Sequence, residues 1–409
     1  MTTRRRRLAF LGAGFVDQAL YAGTNFAAAV VAARVLGPDD FGAFSVALGI
    51  YTTAWILSRS VIGEPFVLQS ASLSATDGAR AAARAFVATL LFALAGALAV
   101  AVAAATVVAD PVTRRTLLSL CAWLPILLLQ DQARVVAFAQ RQAPVAVVSD
   151  GIWAVTQLAV LGGLAGLGLL TAPLAVSAWA VGALTGGLYA AWRLRLWNAG
   201  TREAAQWLRD AAANGVWFAS ARGMLTAGTQ LTLPIAASLA GSAAAGGLRG
   251  VMTLFGPLGV LARGLHLTAL PELAETDPTA VWKVARNRSL FLVAVCVAYL
   301  AAVVAGGETL LRAVLGVEFT PYVVLLLPLA IAQASETGTS LLTLTLRRMG
   351  TVRPVAVLEA VFASARLAGS ALVASHTGPL GIAYVLAGTG LARALVVTAL
   401  ARRATAGQT

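Results

Sequence analysis

The chain has 409 residues, 59% of them hydrophobic and only 11% charged, with a formal net charge of +13 and a mean hydropathy of +0.82. This composition excludes a set of soluble domains, because apolar runs of about twenty residues, the length that crosses a bilayer, follow one another throughout. The positive charge reads as membrane topology rather than as a nucleic-acid footprint, since the basic residues sit at alternate ends of the apolar spans.

In chain order there are about twelve spans, near 8–36, 41–69, 85–109, 116–139, 145–170, 174–194, 215–240, 247–272, 289–306, 321–345, 355–375 and 379–401. Arg4–Arg7 before Leu8 is similar to a twin-arginine or secretory leader. The apolar stretch behind it is long and carries Asp17 and Asn25, so it is read as a retained first helix. Asp17, Tyr21, Thr24 and Asn25 fall on one face of that helix. The pattern returns 205 residues later as Arg222, Thr226, Thr229 and Gln230, and the Ala-Gly-Thr triplet at 22–24 recurs at 227–229.

Further matches keep the same order. Leu124-Pro125 with Gln130 is echoed by Leu327-Pro328 with Gln333, and the Pro-Val-Ala-Val run at 144 by the one at 354. The expected fold is therefore an all-α integral membrane protein with two parallel six-helix lobes, related by a pseudo-two-fold axis along the membrane normal. The lobes are placed at 1–195 and 215–409, with a charged, part-helical cytoplasmic linker at 196–214 that offers Trp197 and Trp207 to the interface. Arginine and lysine cluster at 4–7, 80–84, 141, 193–209, 283–288, 347–353 and 402–403, against acidic residues at 39–40, 110, 308 and 318 on the other side. That bias places both termini in the cytoplasm. Glycines at 162, 163, 166 and 168, and at 182, 186 and 187, are expected to permit close helix packing.

The run Ala33-Arg34-Val35-Leu36-Gly37-Pro38-Asp39-Asp40-Phe41-Gly42 resembles the first-hairpin signature of bacterial polysaccharide flippases. These are O-antigen and capsule repeat-unit transporters of the multidrug/oligosaccharidyl-lipid/polysaccharide exporter superfamily. The ending Ala269-Leu270-Pro271-Glu272 of span eight belongs to the same resemblance. It implies a MATE-like V of two lobes around a cavity open alternately to either side of the bacterial inner membrane. The implied substrate is a polyprenyl-pyrophosphate-linked oligosaccharide, carried outward for cell-surface polysaccharide synthesis. Membrane lipids, and a polysaccharide polymerase or glycosyltransferases, are the implied partners.

Charge inside a bilayer costs about 2.5–3.5 kcal/mol per residue at a helix centre, so each instance asks for a role. Arg59 and Arg263 stand 204 residues apart in Leu-Ser-Arg and Leu-Ala-Arg contexts, near-equivalent positions in the two halves. With Arg222 they are candidates to grip a diphosphate, a planar guanidinium matching phosphate bidentately; pairing with Glu64 or Asp17 is the structural alternative. Tyr21, Thr24, Asn25, Thr226, Thr229 and Gln230 suit sugar hydroxyls or interhelical hydrogen bonds. Asp17, facing Arg222 across the repeat, is a candidate gate, and Glu64 a second. Glu336, without a local partner in sequence, is a candidate for Na+ or H+ coupling. Asp131 with Arg134, and Glu359 with Arg366, are spaced to share a helix face and neutralise one another.

The two cysteines, Cys121 and Cys296, lie in separate spans, and the two histidines, His266 and His376, are far apart. No disulfide framework, metal site or cofactor is expected. The rival transport reading is a multidrug extruder, which calls for an acidic cavity rather than these arginines. A polyprenyl-phosphate-sugar-dependent glycosyltransferase, hinted at by Asp39-Asp40, lacks any sizeable external loop for an acceptor. No enzyme is expected.

Overall fold

The computed structural model describes residues 3–70, 73–259, 262, 281–348 and 352–406, and every regular element among them is helical. The elements are α1 (Thr3–Ser58), a π-helical turn (Arg59–Gly63), α2 (Glu64–Ser70), α3 (Ala75–Thr106), α4 (Pro111–Ala139), α5 (Ala143–Gly166) and α6 (Ala172–Leu194). Then come α7 (Thr201–Ala240), α8 (Ser242–Leu254), α9 (Val281–Val314), a 3-10 segment (Val317–Leu325), α10 (Leu326–Arg348) and α11 (Val352–Ala406).

Two of these run far beyond the width of a membrane, α1 at 56 residues and α11 at 55, and both are broken. The break in α1 is Gly37, at φ 67 and ψ 175 with Pro38 behind it; in α11 it is Gly378, at φ 60 and ψ −148 with Pro379 behind it. A glycine takes the left-handed conformation at no steric cost, and the proline that follows starts the next arm. Each arm is then long enough to span on its own. Eight helices among the described residues have the length and composition of membrane spans. Bulky apolar side chains stand outward on them, Leu98, Val155, Leu372 and Leu395 among the most exposed. In a water-soluble fold those would be liabilities; here they form the lipid-facing surface. The chain is a multi-pass membrane protein.

Two compact units make up the chain: Met1–Leu36 with Ala43–Gly223, and Gly37–Gly42 with Met224–Thr409. The boundary falls inside α7, because the charged connection runs without interruption into the seventh span. Its early residues pack on the first unit. Leu196 and Ala204 are buried in the core built by α3, α4 and α6, Trp197 stacks edge-on against Phe86, and Trp207 donates to Gln69.

Within the first unit α6 carries the close approaches. A Cβ at Gly186 would lie 2.4 Å from the carbonyl oxygen of Ser149, and one at Gly182 would lie 2.3 Å from Trp153 Cδ1. Only glycine lets α5 and α6 come so near. Gly162, Gly163, Gly166 and Gly168, expected to do the same, have nothing within 4 Å of such a Cβ among the described residues. They close α5 at its end instead, where Gly168 has φ 68.

The second unit takes in the Gly37–Gly42 turn. Phe41 is fully buried and meets Phe319 edge-to-face at 5.8 Å. A Cβ at Gly42 would fall 1.9 Å from the carbonyl oxygen of Ser242, and one at Gly246 would fall 1.9 Å from that of Pro38. The contact is reciprocal. Pro38 and Ser242, and Gly42 and Gly246, are each separated by 204 residues, the interval between Arg59 and Arg263. The internal repeat thus appears as a local two-fold crossing of two helix starts.

Candidate functional site

Each unit encloses a network of intramembrane charge. In the first, Arg59 opens the five-residue π-helical turn Arg59–Gly63. Such one-turn bulges cost regular hydrogen bonds and are frequent at functional positions. From there the guanidinium reaches Asp131 on α4 through two parallel bonds, Nε to Oδ2 and Nη2 to Oδ1, both 2.8 Å. Its carbon lies 5.4 Å from the ring centre of Trp55. The side chain of Arg59 keeps 35% of its surface exposed, against 11% for Asp131.

Behind this pair sits a second. Arg134 Nη1 is 4.0 Å from Asp131 Oδ1, while its Nε is 3.0 Å from Asp150 Oδ2 on α5. Gln130 donates to the other oxygen of Asp150 at 2.9 Å. Two guanidiniums and two carboxylates therefore balance one another inside the first unit. Charge in low dielectric persists only when compensated in this way.

The second unit holds two pairs. Arg393 grips Glu359 with both forks, Nε to Oε2 at 2.8 Å and Nη2 to Oε1 at 2.5 Å, and donates further to Thr339 and Thr343. Both partners are buried. Arg366, with no exposed surface, pairs with Glu336 and donates to Thr229 on α7 at 2.7 Å and to Thr389 at 3.2 Å. Its Nη2 has no hydrogen-bond partner among the described residues. Gly228 sits against Ala363 and brings α7 close enough for Thr229 to reach the guanidinium.

The sequence-predicted residues fall as follows. The carboxylate on Arg59 is Asp131, from a distant helix, rather than the nearby Glu64, which is half-buried at the start of α2. Asp131 and Arg134 are in reach, but each has a closer partner on another helix. Glu359 does not pair with Arg366: seven residues of separation put both on α11, yet Arg393 from the other arm takes Glu359 and Glu336 takes Arg366. Glu336 accordingly has the partner that its own stretch of sequence lacked.

Thr24 and Asn25 line a small recess in the first unit with Asp150, Trp153, Ala154 and Gln157. Thr24 spends its hydroxyl on the Leu20 carbonyl at 2.8 Å. Thr229 serves Arg366, and Gln230 beside it is half-buried. Arg263, and the side chains of Asp17, Tyr21, Arg222 and Thr226, lie outside the described residues. Asp150, Thr389 and Arg393 went unpredicted. Asp150 and Arg393 carried the same signal as the others, a charge within an apolar span. Among the described residues no group of acidic, histidine or cysteine side chains is arranged to hold a metal ion.

The sequence matches no family model and no curated protein. Solved structures do match. An inward-facing multidrug resistance MATE family transporter of the MOP superfamily superposes with a TM-score of 0.69 at 13% identity, over 95% of each chain. The lipid II flippase MurJ, in an inward closed conformation, gives 0.70 at 9% identity, over 97% of this chain and 87% of its own. The chain has the MATE and MurJ fold. A MOP superfamily transporter from Pyrococcus furiosus, described as having a binding pocket of reverse polarity, matches at 0.53 and 13% identity over 98% and 95%. Identities this low speak for the fold, with its two lobes of about twelve spans, and the proteins concerned are transporters and a flippase rather than enzymes.

Proposed function

We propose that the protein is an alternating-access flippase that carries a polyprenyl-pyrophosphate-linked oligosaccharide across the bacterial inner membrane, for cell-surface polysaccharide synthesis. The observation that carries this reading is Arg59, an intramembrane arginine whose side chain is a third exposed, held at a π-helical turn in a protein of this fold. A planar fork of donors suits a diphosphate, and in a low-dielectric setting it discriminates strongly for an anion. Thr24 and Asn25, in the same unit as that arginine, would meet the glycan, and the polyprenyl tail would stay in lipid. The charge bias of the connections supports cytoplasmic termini. A polysaccharide polymerase or glycosyltransferases would be working partners.

The second reading, export of lipophilic cations, is favoured by Glu336, whose carboxylate side chain is 30% exposed while its arginine is buried. On the flippase reading Glu336 serves Na+ or H+ coupling instead. The two are separated in proteoliposomes loaded with a fluorescent polyprenyl-diphosphate oligosaccharide and challenged with a membrane-impermeant quencher. The flippase reading expects protein-dependent translocation of the glycolipid that Arg59→Ala abolishes. Vesicles that accumulate a lipophilic cation and leave the glycolipid where it was would replace that reading with drug export.

A further inference from the structure

We infer that Asp131 is a built-in stand-in for the substrate anion, occupying the Arg59 fork until a phosphate group displaces it. The inference rests on the proposed diphosphate cargo and assigns a specific residue to its exchange. Five observations carry it. The fork edge of Arg59, Nε with Nη2, is the edge that binds carboxylate and phosphate oxygens alike, and Asp131 fills both positions at 2.8 Å. A phosphate can use that edge only by evicting the carboxylate.

The evicted carboxylate has somewhere to go. Arg134 Nη1 already stands 4.0 Å from Asp131 Oδ1, so a small rotation of the aspartate exchanges one guanidinium for another without stranding a buried charge. The Trp55 ring lies beside the Arg59 guanidinium, 5.4 Å from its carbon, giving the cation a surface to rest on during the exchange.

The exposures run in the required sense. Arg59 is the open member of the pair and Asp131 the covered one, so an incoming anion meets the arginine first. The π-helical turn at Arg59–Gly63 places that arginine where the backbone is least regular and can adjust. A purely structural ion pair needs none of this: Glu359 and Arg393 in the second unit are closed on both sides and sit in regular helix.

The test is binding of inorganic pyrophosphate and of a polyprenyl diphosphate to the full chain in nanodiscs, comparing the natural protein with Asp131→Asn and Arg59→Ala. Removing the competing charge is expected to tighten both ligands by about tenfold, the scale of one charge-assisted hydrogen bond, while Arg59→Ala loses them. If Asp131→Asn does not fold, Asp131→Ser, too short to span the fork, is measured in its place. Unchanged or weaker binding in the aspartate variant, with Arg59 still required, overturns the stand-in and makes Asp131 a positioning residue, leaving the flippase reading intact. Diphosphate binding that is absent, or indifferent to Arg59, overturns the flippase reading as well.

Discussion

The two units solve one problem with opposite polarity. In the first, carboxylates on α4 and α5, Asp131 and Asp150, are covered, and the end of the network left open is the cation Arg59. In the second, carboxylates sit on the repeated spans α10 and α11, as Glu336 and Glu359, but the open end is the anion Glu336, while Arg366, Glu359 and Arg393 are buried. Among the described residues each matching span carries a carboxylate, and the arginines that pair with these carboxylates come from the Arg59 turn and α4 in one unit and from the two arms of α11 in the other. Neutralisation inside the bilayer is therefore the shared constraint, and among the described residues the sign of the exposed group distinguishes the halves.

The largest effect should come from the pair closed on both sides. Arg393→Leu leaves Glu359 buried without a counter-charge and is expected to destabilise the protein by about 3–5 kcal/mol, read as a lowered unfolding midpoint in detergent. The double variant Glu359→Leu with Arg393→Leu should recover most of that loss. If it does not, that pair does more than balance charge.

The reciprocal crossing comes next. Gly42→Ala and Gly246→Ala each place a Cβ 1.9 Å from a backbone oxygen, so each should cost roughly 1–3 kcal/mol, the range for an overpacked contact. The local symmetry makes the two costs similar. A twofold disparity in the midpoint shift would show that the halves are not equivalent there.

Arg59→Ala should lower stability by about 1.5 kcal/mol, the low end for bonds to a charged group, because Arg59 is partly open and Arg134 remains near Asp131. Its effect on transport should be far larger than on the unfolding midpoint. Equal effects on both would make Arg59 a structural residue like Arg393. At the bottom of the scale, the exposed Arg84–Glu203 pair, at 3.1 Å, should contribute less than about 1 kcal/mol, so Arg84→Ala should leave the midpoint almost unmoved.

Much of this architecture is legible in the sequence, for a plain reason: span length, charge bias and repeat spacing are local quantities. The Gly37–Gly42 signature is readable residue by residue. Gly37 takes the positive φ, Pro38 starts the next arm, Phe41 fills a pocket against Phe319, and Gly42 admits the Ser242 carbonyl. Ion-pair partners were not legible, because a helix fixes only what shares its face, whereas the choice among arginines is made across helices. Glu359 illustrates this: Arg366 has the right interval, but the break at Gly378 turns the second arm of α11 so that Arg393 reaches it. The same limit explains the glycines. Those at 182 and 186 meet a neighbouring helix and those at 162–168 do not, a difference that composition and spacing do not encode.

The central claim is that the open cation of the first unit recognises a lipid diphosphate. Its most direct test is native mass spectrometry of the full chain offered a mixture of polyprenyl-diphosphate glycolipids and lipophilic cations, alongside Arg59→Ala. The account predicts that the natural protein retains the diphosphate lipids selectively and that the variant does not. Retention of the cations by both proteins, with no glycolipid held by either, would contradict it and make Glu336 in the second unit the recognition group.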